Sequence, residues 1–297
     1  MQRTAKHLRS GLTAYLMIAP MVILLGIFVF WPLIYSIYLS MHRISFYKDP
    51  AFVGFDFYKY VLTDPNFWDT MLTGLKYALF VVPTGIVIAL IVATFLKNLN
   101  GRPASIMKTT VYVPTVVSSV VASIIFLFIY QDEGLANWFM GFLGVEAVNW
   151  LNSPGLALPA IAVPGVWLGL GISTLILLAA MHDIPANYYE AAALDGASAW
   201  QRMRYITLPN LKNVLLYLFV TGFTLAIQEF QLPLIMTNGG PVNATTTPNL
   251  FIFRSFRDNT EYATSFSLAA SLLLFVALGL ISLLIFKLVK SDKALDS

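Results

Sequence analysis

The sequence predicts an all-α integral membrane protein: six transmembrane helices with both termini on the cytoplasmic side. Three observations predict it. Of 297 residues, 58% are hydrophobic and only 11% are charged, with a mean hydropathy of +0.74, whereas a soluble domain carries about 25% charged residues. Six apolar runs are each long enough to cross a hydrocarbon layer, which takes about 20 helical residues. Lysine and arginine are unevenly shared between alternate loops, and that bias sets orientation. So apolar a composition excludes a cytosolic enzyme, a nucleic-acid-binding protein and a disordered chain.

The runs are roughly Leu12–Tyr38, Met71–Leu96, Thr109–Tyr130, Leu156–Met181, Val214–Met236 and Ser265–Val289. Unbroken apolarity over such lengths argues helix, because barrel strands are short and alternating. Arg3, Lys6 and Arg9 precede the first run, as in a signal peptide. The run is too long for a signal core, carries Trp31-Pro32 near its end and is followed by no small-residue cleavage site, so it reads as a retained span. Pro20, Pro83, Pro114, Pro159, Pro164 and Pro233 fall within the runs and mark expected kinks.

Twelve of the 18 basic residues fall on one side: Arg3, Lys6, Arg9, Lys97, Arg102, Lys108, Arg202, Arg204, Lys212, Lys287, Lys290 and Lys293. Five fall on the other: Arg43, Lys48, Lys59, Arg254 and Arg257. Lys76 lies inside the second run near its outer end, where its side chain can snorkel. The loops at 39–70, 131–155 and 237–264 therefore face outward, with Trp68, Trp138 and Trp150 beside span ends as an aromatic belt. The domain organisation expected is a first span and outer loop over 1–70, a membrane core over 71–290 and a cytoplasmic tail over 291–297.

There are no cysteines, which excludes disulfides and thiolate metal sites, and His7, His42 and His182 form no ligand spacing. No G-x4-G-K-[ST], HExxH or GxSxG motif occurs, so neither ATP chemistry nor hydrolysis is signalled.

The cytoplasmic segment 182–213 is too long for a turn. Pro185 suits a first helical turn, Ala186–Leu194 is a good helix former, and Gly196 can end it in the left-handed conformation. Ala197–Tyr205 reads as a second helix whose end Pro209 restricts. Small residues at 191–193, 197 and 199 leave a smooth surface for another protein, beside the Glu190 carboxylate.

Glu190-Ala191-Ala192, Gly196 after three residues, and Ile206-x-Leu208-Pro209 after nine more resemble the EAA signature of ABC-importer permeases at every fixed position. Thr237-Asn238-Gly239-Gly240-Pro241, Thr245-Thr246-Thr247, Gly134-Leu135-x-Asn137 and Asn149-Trp150-Leu151 resemble the compact carbohydrate-importing subgroup of MalF/UgpA type. The resemblance implies a MetI-like type I bundle that imports a sugar or oligosaccharide. It implies docking of Glu190, Ala191, Ala192, Gly196, Ile206, Leu208 and Pro209 on an ATPase; a carboxylate buried in such a contact needs a cationic partner, expected to be an arginine of that subunit facing Glu190. It further implies a MalG/UgpE-type second permease, a pair of ATPase subunits holding ATP and Mg, an extracytoplasmic sugar-binding protein, and a bacterial-type inner membrane. No cofactor is expected on this chain.

Polar groups in the spans are candidates for the path. Gln228, Glu229 and Gln231 cluster in the fifth run, with Glu229 about 24 Å along the helix from its cytoplasmic start. They read either as a wall for sugar hydroxyls or as interface residues touching water. Ser118 and Ser119 read as path or packing residues, and Tyr130 and Trp167 as sugar-stacking or packing aromatics. The same machinery could carry glycerol-3-phosphate or a polyol, but few cations in the spans lean towards a neutral sugar. An ion-coupled secondary transporter would use Glu229 as its coupling carboxylate.

Overall fold

The computed structural model describes residues 15–44, 49–258, 260 and 262–289. The basic positions Arg3, Lys6, Arg9, Lys48, Lys290 and Lys293, His7, and the tail 291–297 lie outside them. The chain divides into two compact units, one made of residues up to Asp64 with Ile252–Leu274, the other of Pro65–Phe251 with the residues from Phe275 onward.

In the first unit, α1 (Tyr15–Ser40) is a single apolar span with a widened π-turn at Gly26–Phe30, and none of its most apolar stretch is buried by the rest of the chain. An antiparallel pair follows, β1 (His42–Arg43) with β2 (Ala51–Phe52), in the register His42↔Phe52 and Arg43↔Ala51. Helix α2 (Asp56–Thr63) buries Phe57 and Val61. The Ser265 hydroxyl donates to the His42 carbonyl at 2.7 Å, and the Arg43 guanidinium lies 4.9 Å from the Tyr262 ring centre.

The second unit contains the packed core. Helices α3 (Pro65–Lys97), α4 (Gly101–Tyr112), α5 (Ser119–Ile129), α6 (Leu135–Phe142) and α7 (Pro154–His182) are followed by α8 (Ala186–Leu194). Helix α9 starts as Ala199–Arg202, passes through a π-turn at Met203–Thr207 and continues as Leu208–Asn210. Then come α10 (Lys212–Ile227), α11 (Gln231–Met236), α12 (Pro248–Arg257) and α13 (Ala263–Val289), the last two contributing to both units. Helix α3 packs along α7 and α10. Small residues permit this: Ala89 and Ala93 of α3 are fully buried against Leu177, Leu178 and Met181 of α7, the close approach that replaces a hydrophobic driving force in lipid.

Among the described residues five helices are long and apolar enough to cross a membrane, and a sixth crossing arises only if α4 and α5 count together. The kink expected at Pro114 in the third run is a sharp bend: its two halves meet at 100°. Pro114 supplies no N–H, the chain tightens to a 3₁₀ turn over Val113–Val116, and Val117 becomes extended. Ser118 then restarts the helix, its hydroxyl accepting the Val121 N–H at 3.3 Å. Gly171 of α7 lets this break pack tightly: a Cβ there would lie 2.8 Å from the Val111 carbonyl oxygen. The fifth run is also interrupted, at Gln228–Phe230, between α10 and α11.

Candidate functional site

The segment 182–213 folds as two helices on the end of the second unit. Pro185 is extended and caps α8 rather than opening its first turn. At the other end Gly196 has φ +76°, and the Ala197 N–H reaches back to the Ala192 carbonyl at 2.8 Å, closing the helix as glycine at this position allows. Ser198 and Gln201 exchange bonds in a capping box that starts α9. The second helix does not stop at Pro209: in the π-turn the Leu208 N–H bonds to the Met203 carbonyl, which makes room for the proline ring and carries the helix on to Asn210.

The loop has two faces. Ile184 and Leu211 are buried, and Tyr189 and Ile206 pack against the core of α3 and α7. The Tyr189 hydroxyl shares a 2.9 Å hydrogen bond with Thr207, and Lys97 from the end of α3 sits 4.2 Å above its ring. The other face is open: Glu190, Ala191, Gly196 and Pro209 are exposed, Ala192 and Leu208 are half-buried, Leu194 is 90% exposed and Trp200 71%. Between α8, α9 and the end of α3 lies a recess of about 500 Å³ lined by Lys97, Tyr189, Glu190 and Arg202.

A second concavity, of about 410 Å³, lies among α3, α7 and α10. Its polar lining is Tyr77, Ser119, Ser173, Tyr217, Thr221 and Glu229, and the rest is aliphatic or glycine. Glu229 stands where α10 stops, and its Oε1 accepts the N–H groups of Gln231 at 2.8 Å and Leu232 at 3.1 Å. The break is held from behind: the Thr247 hydroxyl donates to the Glu229 carbonyl at 2.6 Å and the Asn249 amide to the Gln228 carbonyl at 2.7 Å.

Residues 82–293 match the family of binding-protein-dependent transport system inner membrane components. The chain belongs to this family. The permease is 33% identical over 84% of its length to the trehalose/maltose transport system permease protein MalF of Thermococcus litoralis, also covering 84% of that protein. It is 33% identical to the sulfoquinovosyl glycerol transport system permease protein SmoG of Agrobacterium fabrum, over 84% of this chain and 81% of that one. With the lactose transport system permease protein LacF of Rhizobium radiobacter it shares 32% identity over 89% and 90%. Its fold matches a chain of a bacterial ABC transporter involved in the import of the acidic polysaccharide alginate, with a TM-score of 0.81 at 22% identity over 98% of this chain and 99% of that one. These relatives are transport components, not enzymes.

Of the candidate path residues, the permease brings Glu229 and Ser119 to one cavity. Gln228 turns its amide to the Thr224 carbonyl at 3.1 Å, Gln231 is exposed, and Ser118 is spent as a helix cap, so none of these three lines it. Tyr130 donates to the Ala160 carbonyl at 2.9 Å, Trp167 packs edge-on against Phe126, and neither lines the cavity. Sequence reasoning missed Tyr77, Ser173, Tyr217 and Thr221. A tyrosine beside Lys76 in an otherwise apolar run was the available signal for Tyr77.

Proposed function

We propose that this permease is one of two membrane subunits of an ABC importer for a sugar or oligosaccharide, and that the loop 182–213 is where the ATPase docks. The two-faced loop carries the reading. One face is locked onto α3 and α7 through Ile184, Tyr189 and Ile206. The other presents Glu190, Leu194 and Trp200 to solvent, and large exposed apolar side chains beside a lone carboxylate suit a protein partner. Ala191, Ala192, Gly196, Leu208 and Pro209 shape that surface, and a cation of the ATPase pairs with Glu190.

In this reading both termini and the loop are cytoplasmic, in a bacterial-type inner membrane. ATP and Mg are held by the ATPase pair, and this chain carries no cofactor. Closure of that pair moves α8 and α9, and their packing on α3 and α7 passes the movement to the cavity. Such a ligand-driven shift requires contacts that differ between the two states, and the docking face supplies them. A binding protein delivers the cargo on the opposite side, and a second permease of MalG/UgpE type completes the path. The relatives named for trehalose, maltose and lactose support a sugar as cargo, as do the hydroxyls of Tyr77, Ser119, Ser173 and Thr221 in the cavity.

The test is uptake in proteoliposomes holding both permeases, the ATPase pair and the cognate binding protein. Sugar-stimulated ATP hydrolysis that weakens with Glu190→Ala supports the reading. Uptake that follows an ion gradient without ATP would replace it with the secondary-transporter reading.

A further inference from the structure

We propose that Glu229 is a charge filter, so that the permease passes neutral or amino-bearing sugars and rejects anionic ones. The inference rests on the cavity being the sugar path. Family membership leaves the cargo's charge open: some relatives are named for the neutral sugars trehalose, maltose and lactose, another for the sulfonated sulfoquinovosyl glycerol. The cavity distinguishes between them.

Three features of the structure carry the argument. First, the carboxylate is held in place. One oxygen is held by the backbone N–H groups of Gln231 and Leu232, and the main chain of the break is held by Thr247 and Asn249. Second, no cationic side chain faces the charge from this chain: among the described residues the lining includes no lysine, arginine or histidine. Third, the walls around it are mostly Val, Ile, Leu and Gly, and low-dielectric walls focus a fixed charge on whatever enters. A sugar hydroxyl can donate to the free carboxylate oxygen, a charge-assisted bond stronger than a neutral one. A uronate, phosphate or sulfonate brings a like charge to a wall where this chain's described residues supply no cation to screen it.

The permease has no cysteine, so a single thiol can report the potential inside the cavity. Ser119→Cys and, separately, Ser173→Cys place that thiol in the lining. In the assembled importer, each is labelled with a cationic and an anionic methanethiosulfonate of similar size, read by the mass of this chain. With each reagent's rate divided by its rate with a small free thiol, the cationic reagent should be favoured about tenfold or more, and adding Glu229→Gln, whose amide oxygen can still accept the two backbone N–H groups, should bring this normalised ratio near unity. Taking the ratio cancels any change in thiol reactivity. Equal normalised rates before the Glu229 change, or a preference that survives it, overturns the proposal, and the second thiol position decides if the first fails to assemble. In proteoliposomes, trehalose or a glucosamine dimer should be taken up in preference to digalacturonate, and the reverse preference also overturns it. Because labelling uses no sugar, failure of all sugar uptake would strike the import reading while labelling still tests the filter.

Discussion

Replacing Gly171 by alanine should destabilise the permease, while the same change at Gly169, two residues earlier in α7, should not. At Gly171 the new Cβ would lie 2.8 Å from the Val111 carbonyl oxygen and 2.9 Å from the Tyr112 Cα, and would overlap the Thr115 hydroxyl. Two of those neighbours are backbone and cannot rotate aside, so α7 must move away from the break between α4 and α5. Overpacking of this kind costs about 1–3 kcal/mol. At Gly169 nothing lies within 4 Å of the added carbon, and leaving a helix interior relieves glycine's cost of about 0.5–1 kcal/mol relative to alanine. Thermal unfolding of the purified complex in one fixed detergent should show a midpoint lowered by about 2–10 °C for Gly171→Ala and unchanged or raised for Gly169→Ala. Equal midpoints for the two variants would refute the idea that α7 is pinned at Gly171. The Thr115 hydroxyl, which donates to the Leu168 carbonyl at 3.3 Å, should lose that bond in Gly171→Ala, and amide exchange near the 113–117 break should quicken.

Asn137→Ala should cost about 2–4 kcal/mol of local stability, because Asn137 is buried and serves the Gln131 and Val148 carbonyls, the Val148 N–H and the Trp150 indole; amide exchange at Val148 measures it. Tyr189→Phe removes the bond to Thr207 at a cost of about 0.5–1.5 kcal/mol, so ATP hydrolysis should remain while sugar uptake per ATP falls. Lys97→Met removes the cation above the Tyr189 ring, worth about 0.5–1 kcal/mol, and should lower uptake per ATP in the same direction. Gly196→Val forces a β-branched residue to φ +76°, which is strained by about 1–2 kcal/mol, and should weaken ATPase co-purification without changing total expression.

The two helices of the loop 182–213 were legible in the sequence because their signals are local. Ala186–Leu194 is bounded in the structure where the alanine-rich stretch and Gly196 place it. The capping box of Ser198 and Gln201 and the π-turn before Pro209 are also local, yet the turn was missed because proline is usually read as a stop. The bend in the third run was legible as a kink at Pro114, but its size was not. Hydropathy measures apolarity alone, and Pro114 signals a kink without its size; the broken segment packs closely on Gly171, more than 50 residues away, at a 100° angle that no local signal carries. The cavity was legible only in part for a related reason. Helices α3, α7 and α10 carry apolar residues on every side, because lipid and core are equally apolar, so periodicity does not say which face turns inward. Glu229 stood out as a lone carboxylate, whereas Ser173 and Thr221 are hydroxyls of a kind that also close onto their own helix, as Thr221 does on the Tyr217 carbonyl at 2.7 Å.

The central claim is that the loop 182–213 receives the ATPase while the segment after α11 faces the other side. Leu194 and Val242 are both about nine-tenths exposed, 90% and 92%, and the crossing Lys212–Met236 separates them. With no native cysteine in the chain, Leu194→Cys and Val242→Cys can each be cross-linked by a short thiol-to-amine reagent in membranes containing the whole importer. The account predicts an ATPase adduct at position 194 and none at 242. An ATPase adduct at 242 with none at 194 would contradict both the docking surface and the orientation.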